Sequence, residues 1–205
     1  MSFVANSLIL SLSIAAAAAA DKNSGREAFR VQPAESYPYR QTNDKVVIAV
    51  EPFDRADKAK AAFGKVNPNE YGVLPVLVVI HNGGARALDL RAMRVEYIGP
   101  DRSRIEATPS QDVRYVRGPD RPPPGAGEPP RRGPLPRSGG KKRNPLDVWE
   151  IEGRAFAARM LPAGESAHGF FYFQARPRPG AAIYITGLRE AGTQRELLYF
   201  EIPLP

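Results

Sequence analysis

Two histidines, His81 and His168, are the only imidazoles in this chain of 205 residues, and it contains no cysteine. A metal site needs three or four ligands in a defined geometry, so each histidine would have to recruit carboxylates, with Asp89 and Glu165 as candidates. The run Gly164-Glu165-Ser166-Ala167-His168-Gly169 resembles a nucleophile elbow, but its last glycine falls one residue too late for G-x-S-x-G. A Ser and a His on one tight turn also cannot easily form a triad. The plain expectation is that His81 ends a strand, His168 sits in a turn, and neither a catalytic residue nor a metal ligand is present. The alternative is a hydrolase or metal-dependent enzyme using His81 or His168 with nearby carboxylates. The lack of cysteine removes a disulfide framework, a thiolate nucleophile, a blue-copper site and a cysteine-rich zinc site together. No phosphate loop, dinucleotide fingerprint or EF-hand pattern occurs, so no cofactor is expected.

The second chemical feature is charge. Arg117, Arg121, Arg131, Arg132, Arg137, Lys141, Lys142 and Arg143 stand against only Asp120 and Glu128, a surplus of six out of the chain's formal +7. All but Arg117, which borders it, lie in a Pro-, Gly- and Arg-rich insert at 118–145 whose composition cannot bury enough apolar surface to order itself. The insert is therefore expected to be a long disordered loop, able to contact a polyanion such as an acidic envelope polymer or anionic lipid headgroups. The plainer alternative, which composition alone favours, is a tolerated surface insertion whose charge keeps it in solution. Nucleic acid is disfavoured, because no aromatic residue lies between Arg117 and Arg143 to stack on bases. Pro134-Leu135-Pro136-Arg137 is a weak match to a proline motif for an aromatic groove. Trp149, Tyr37, Tyr39 and Tyr115 are candidate sugar platforms, although Trp149 beside Val148 and Ile151 reads as core, and Tyr37 and Tyr39 beside Pro38 read as exposed.

These groups must be carried by short extended runs between turn residues. Residues 45–50 are apolar and β-branched. Residues 54–63 are rich in alanine and lysine, with Asp54 placed as the N-cap of a short helix. Residues 73–80 put Val76, Val78 and Ile80 on one face and Leu77 and Val79 on the other, which predicts a central strand covered on both sides. Asn82-Gly83-Gly84 reads as a tight turn. Over 93–98, Met93, Val95 and Tyr97 face inward while Arg94 and Glu96 face water. Over 198–202, Leu198, Phe200 and Ile202 face inward while Tyr199 and Glu201 face out. Residues 170–173 and 182–185 supply further core strands, the former aromatic on both faces. Residues 147–161 are ambiguous between strand and helix, with Ala155, Ala157 and Ala158 favouring helix. Pro162 to Glu165 reads as a hairpin turn, with Gly164 at positive φ.

The N-terminus bears on location. The first twenty residues carry no charge, include an apolar stretch at 8–14, and end in Ala18-Ala19-Ala20, a small-x-small cleavage pattern. A signal peptide is expected at 1–20, although residues 1–7 lack the usual positive charge. A polar lead-in is expected at 21–44. No cysteine means no lipobox, so an exported chain would be soluble, periplasmic or secreted, with no transmembrane span in its mature part.

Ala62-Phe63-Gly64, followed by Tyr71-Gly72-Val73-Leu74-Pro75-Val76 and Val79-Ile80-His81-Asn82, resembles the first half of bacterial extracytoplasmic immunoglobulin-like domains of uncharacterised function. Leu161-Pro162-Ala163-Gly164-Glu165-Ser166, closing on Gly169-Phe170-Phe171-Tyr172-Phe173, resembles their later half. The resemblance spans residues 45–205 and implies an all-β fold: one immunoglobulin-like antiparallel β-sandwich with one or two short helices, interrupted by the insert. It supports a fold rather than an activity. The expected function is an exported non-catalytic binding or assembly module of the bacterial cell envelope, with an unknown protein or acidic envelope polymer as partner. A structural subunit of an envelope complex is a further alternative.

Overall fold

The computed structural model describes residues 29–116 and 144–205. The expected signal peptide, the first part of the lead-in and the eight basic residues Arg117 to Arg143 lie outside the described residues.

The strands are β1 (Arg40–Asn43), β2 (Val46–Pro52), β3 (Leu74–Asn82), β4 (Leu88–Asp89), β5 (Arg94–Ile98), β6 (Arg104–Glu106), β7 (Met160–Leu161), β8 (Ser166–Phe173), β9 (Ala182–Thr186), β10 (Arg189–Glu190) and β11 (Phe200–Pro203). Two short helices, α1 (Ala56–Phe63) and α2 (Trp149–Gly153), and three 3-10 turns complete the described residues. The strands form two four-stranded sheets, ordered β1-β2-β3-β8 and β11-β9-β5-β6, and a small three-stranded sheet, β10-β4-β7. All of their pairings are antiparallel. The architecture is thus mixed α/β, mostly antiparallel sheet with a few short helices.

β3 is the axis of this arrangement. Leu74 through Ile80 are all buried, because a strand apolar on both faces must be covered on both. Val76, Val78 and Ile80 join Val95, Tyr97, Ile183, Ile185, Phe200 and Ile202 in a core shared by the two large sheets. On the opposite face Leu77 and Val79 meet Phe53, Ala59, Ala62, Phe63, Ile151, Phe170 and Tyr172 in a second core roofed by the helices. β8 repeats the pattern, with Phe173 in the first core and Phe170 and Tyr172 in the second. The helical roof is what separates the structure from a purely β reading.

Several local expectations are corrected. Asp54 does not cap α1. The N-cap is Arg55, without a side-chain cap bond, and its guanidinium pairs instead with Asp57 at 3.1 Å. Asn82, read as the start of a tight turn, is instead the last residue of β3 and is fully buried. Its amide nitrogen donates to the carbonyls of Arg86, Leu161 and Pro162 at 2.8, 3.1 and 3.0 Å. Its oxygen accepts from the Gly84 N–H at 3.1 Å. A buried polar side chain must be satisfied this fully, and here it ties β3 to the end of β7.

Leu198 is 71% exposed, since β11 begins only at Phe200 and Leu197 turns inward instead. The alanines at 155, 157 and 158 are not helical; the helix of this region is the one and a half turns at Trp149–Gly153. Pro162 to Glu165 does form a turn, with Gly164 at φ +78°. It joins β7 of the small sheet to β8 of a large one, so it is not a hairpin.

Candidate functional site

The outer edge of β8 changes character along its length. Its register with β3 is regular throughout, so backbone groups of alternate residues point away from β3 toward the edge. At Phe170 both are taken: its N–H donates to the Arg154 carbonyl at 2.9 Å and its carbonyl accepts from the Phe156 N–H at 3.1 Å. At Tyr172 the carbonyl accepts from the Thr108 N–H at 2.7 Å. The same alternation turns the N–H and C=O groups of Ser166 and His168 outward, and these meet no partner among the described residues.

The covering segment begins only at Arg154, where α2 ends, and runs parallel to β8 away from Ser166. Gly169 permits the close crossing, since a Cβ at this position would lie 2.5 Å from the Phe156 nitrogen. Toward Ser166 the edge opens onto a cleft of about 510 Å³ lined by Phe29, Arg30, Leu77, Arg154, His168 and Phe170, among others. Leu77 and Phe170 are its apolar floor. Phe29 packs edge-on against Phe53 and lies 5.5 Å from Phe170, ring centre to ring centre. The Arg154 guanidinium lies 4.9 Å from the centre of the Phe29 ring, a cation–π contact that fixes its position. Its Nε is buried without a hydrogen-bond partner among the described residues. Among the described residues no acidic side chain lines the cleft. Beneath it the Tyr172 hydroxyl donates to the Ile151 carbonyl at 2.7 Å, and burial pushes its phenol well above the ordinary tyrosine range.

The histidines are closer together than a turn and a strand end would put them. His168 lies within β8 rather than in a turn, opposite Val79, and His81 is opposite Ser166. Both imidazoles therefore share the helix-side face of the sheet as diagonal neighbours, a separation of roughly 7–8 Å. His81 Nδ1 is 3.0 Å from Ser166 Oγ, and His81 Nε2 is 3.9 Å from Glu35 Oε1. The second distance is too long for a hydrogen bond, so no carboxylate orients the ring as a working triad requires. Glu35, which carries no motif in the sequence, is brought across from the lead-in by a 3-10 turn.

The carboxylates named from sequence are elsewhere engaged or uninvolved. Asp89 is clamped by Arg91, whose guanidinium holds its carboxyl down to about 2. Glu165 takes part in the β7–β8 turn through its backbone. Among the described residues no group of three or more histidines and carboxylates could hold a metal ion.

The aromatic candidates are redistributed. Trp149 is 70% exposed, against the expectation of core, and its ring packs over Gly153. Tyr37 is buried and Tyr39 packs on the first core, against the expectation of exposure. The Tyr37 hydroxyl accepts the Gln32 N–H at 3.0 Å, which pins the lead-in across the helix-side face.

The basic candidates Arg117, Arg121, Arg131, Arg132, Arg137, Lys141, Lys142 and Arg143 lie outside the described residues, but the root of their segment does not. The Asn144 amide donates to the Arg114 carbonyl, joining the two ends of the segment. Arg114 in turn pairs with Asp147 at 3.3 Å and Glu152 at 2.9 Å. Glu152 precedes Gly153, which lines the cleft, so the end of α2 links this root to the cleft. No helix of the described residues is long and apolar enough to cross a membrane.

Neither a family model nor a curated protein matches the chain.

Proposed function

We infer that the protein is an exported, non-catalytic binding or assembly module of the bacterial cell envelope, periplasmic or secreted, built on an immunoglobulin-like antiparallel β-sandwich. The sandwich reading is supported by two four-stranded antiparallel sheets that share one core. The observation that carries the binding reading is the end of β8 at Ser166 and His168, which meets no backbone partner among the described residues and faces a cleft with an apolar floor and, among those residues, no acid. Unpaired strand edges are sites of strand addition, and natural sheets cover or charge the edges they do not use. The same strand is covered at Phe170 and Tyr172, which marks the opening as specific.

The basic segment supplies a second contact, directed at a polyanion. Because it is rooted beside α2, a partner that engages the cleft brings its own surface within reach of that charge, which raises the effective concentration of the second contact.

Retention of the protein by isolated envelope fractions across a salt titration tests both parts. Replacing 118–143 with a Gly-Ser linker is expected to remove the salt-dependent share of binding, and His168→Pro is expected to remove the salt-resistant share. If neither variant differs from the parent protein, the module reading fails.

The Ser166–His81 hydrogen bond favours one second reading, a hydrolase in which Ser166 attacks with His81 as base and Glu35 beside it. Hydrolysis of p-nitrophenyl acetate above the rate of a Ser166→Ala variant is the result that would establish it.

A further inference from the structure

We propose that the cleft beside the open end of β8 binds the free C-terminal carboxylate of an extended peptide whose last residue is apolar. This rests on the binding reading above and names the chemistry of the partner segment. Three features converge on it. Among the described residues the ladder on the outer edge of β8 is open at Ser166 and His168 but blocked at Phe170 by the Arg154 carbonyl and the Phe156 N–H. A strand entering from the open side must therefore stop after about two residues, and a chain end meets that requirement without a sharp turn.

At the block stands Arg154, whose Nε is buried without an acceptor among the described residues and whose plane is held over Phe29. Arg30 and His168 add donors, and none of the described lining residues is acidic. A guanidinium so placed matches the planar, bidentate geometry of a carboxylate. The floor of Leu77 and Phe170 takes one apolar side chain, and about 510 Å³ suits a terminal residue with its carboxylate. Main-chain pairing over two residues gives modest affinity, and the carboxylate and the last side chain give selectivity.

The test uses the full chain and fluorescein-labelled hexapeptides randomised at the last two positions, each made as the free acid and as the C-terminal amide. Fluorescence anisotropy is expected to select free acids with an apolar last residue. Amidation or Arg154→Gln should weaken binding about ten- to a hundredfold, with Arg154→Lys recovering part of the loss. Circular dichroism on each variant separates lost binding from lost fold.

Equal binding of acids and amides overturns the proposal, as does selection of amidated peptides carrying internal Asp or Glu, or no binding by any peptide. Binding that emerges only when 1–28 is removed assigns the cleft to the chain's own segment and overturns it as well. The two readings separate cleanly. If His168→Pro abolishes retention by envelope fractions while amidation changes nothing, the module reading stands and the C-terminal assignment falls. If neither matters, both fall.

Discussion

β8 presents two halves of one edge, the same strand in the same register, with opposite fates. From Phe170 to Tyr172 the edge is stitched by Arg154, Phe156 and Thr108, and the aromatic side chains beneath it belong to the second core. At Ser166 and His168 the edge meets no partner among the described residues, and the side chains are a hydroxyl and an imidazole at the polar end of the helix-side face. The difference teaches that strand composition decides burial, whereas a crossing segment decides which backbone groups remain available. Gly169 sits at the boundary, because only a residue without Cβ lets that segment cross.

Substitutions should separate the two halves. The largest effect is expected at the covered end: Phe170→Ala removes a ring packed against Phe53 and Phe63 and should cost about 3–5 kcal/mol by urea denaturation. Gly169→Val should cost about 1–3 kcal/mol, since the clash is with backbone that cannot step aside. It should also expose the Phe170 edge and so erase the contrast.

A smaller effect is expected from acid. Asp89, beside Arg91, and Glu190, beside Arg195 and Thr193, are each held down to about 2. Carboxyl groups in the unfolded chain titrate near 4. The unfolded state therefore binds more protons between about pH 4 and 2, so the melting temperature should fall across that window as pH is lowered. Asp89→Asn should flatten the fall, and Arg154→Gln, which removes no carboxylate pair, should leave its slope unchanged. A slope altered by Arg154→Gln would place an acid in the cleft. The smallest effect belongs to the open end, where Ser166→Ala and His168→Ala should shift stability by about 0.5 kcal/mol or less.

Much of the fold was legible because β-strand alternation is a local signal. The two-faced strand at 73–80, the aromatic run at 170–173 and the inward set Val95 and Tyr97 all follow from period-two patterns that burial enforces. What escaped was set by tertiary partners. Asn82 carries turn chemistry locally, yet it is buried because carbonyls of Leu161 and Pro162, far along the chain, come to meet it. Trp149 lies among apolar neighbours but opens a helix too short to bury all its faces.

The site was less legible than the fold. His81 and His168 were singled out by their rarity, but their shared face depends on the β3–β8 register. Arg154 carried no motif at all, and the opening in the β8 edge is a property of where α2 stops.

Amide hydrogen exchange, resolved by NMR along β8 of the free protein, reads the state of this edge residue by residue. The Phe170 amide, bonded to the Arg154 carbonyl, should be strongly protected, while the outward amides of Ser166 and His168 should exchange at rates near those of solvated backbone. Protection of Ser166 and His168 equal to that of Phe170 would contradict the account, because it would mean that the edge is already filled.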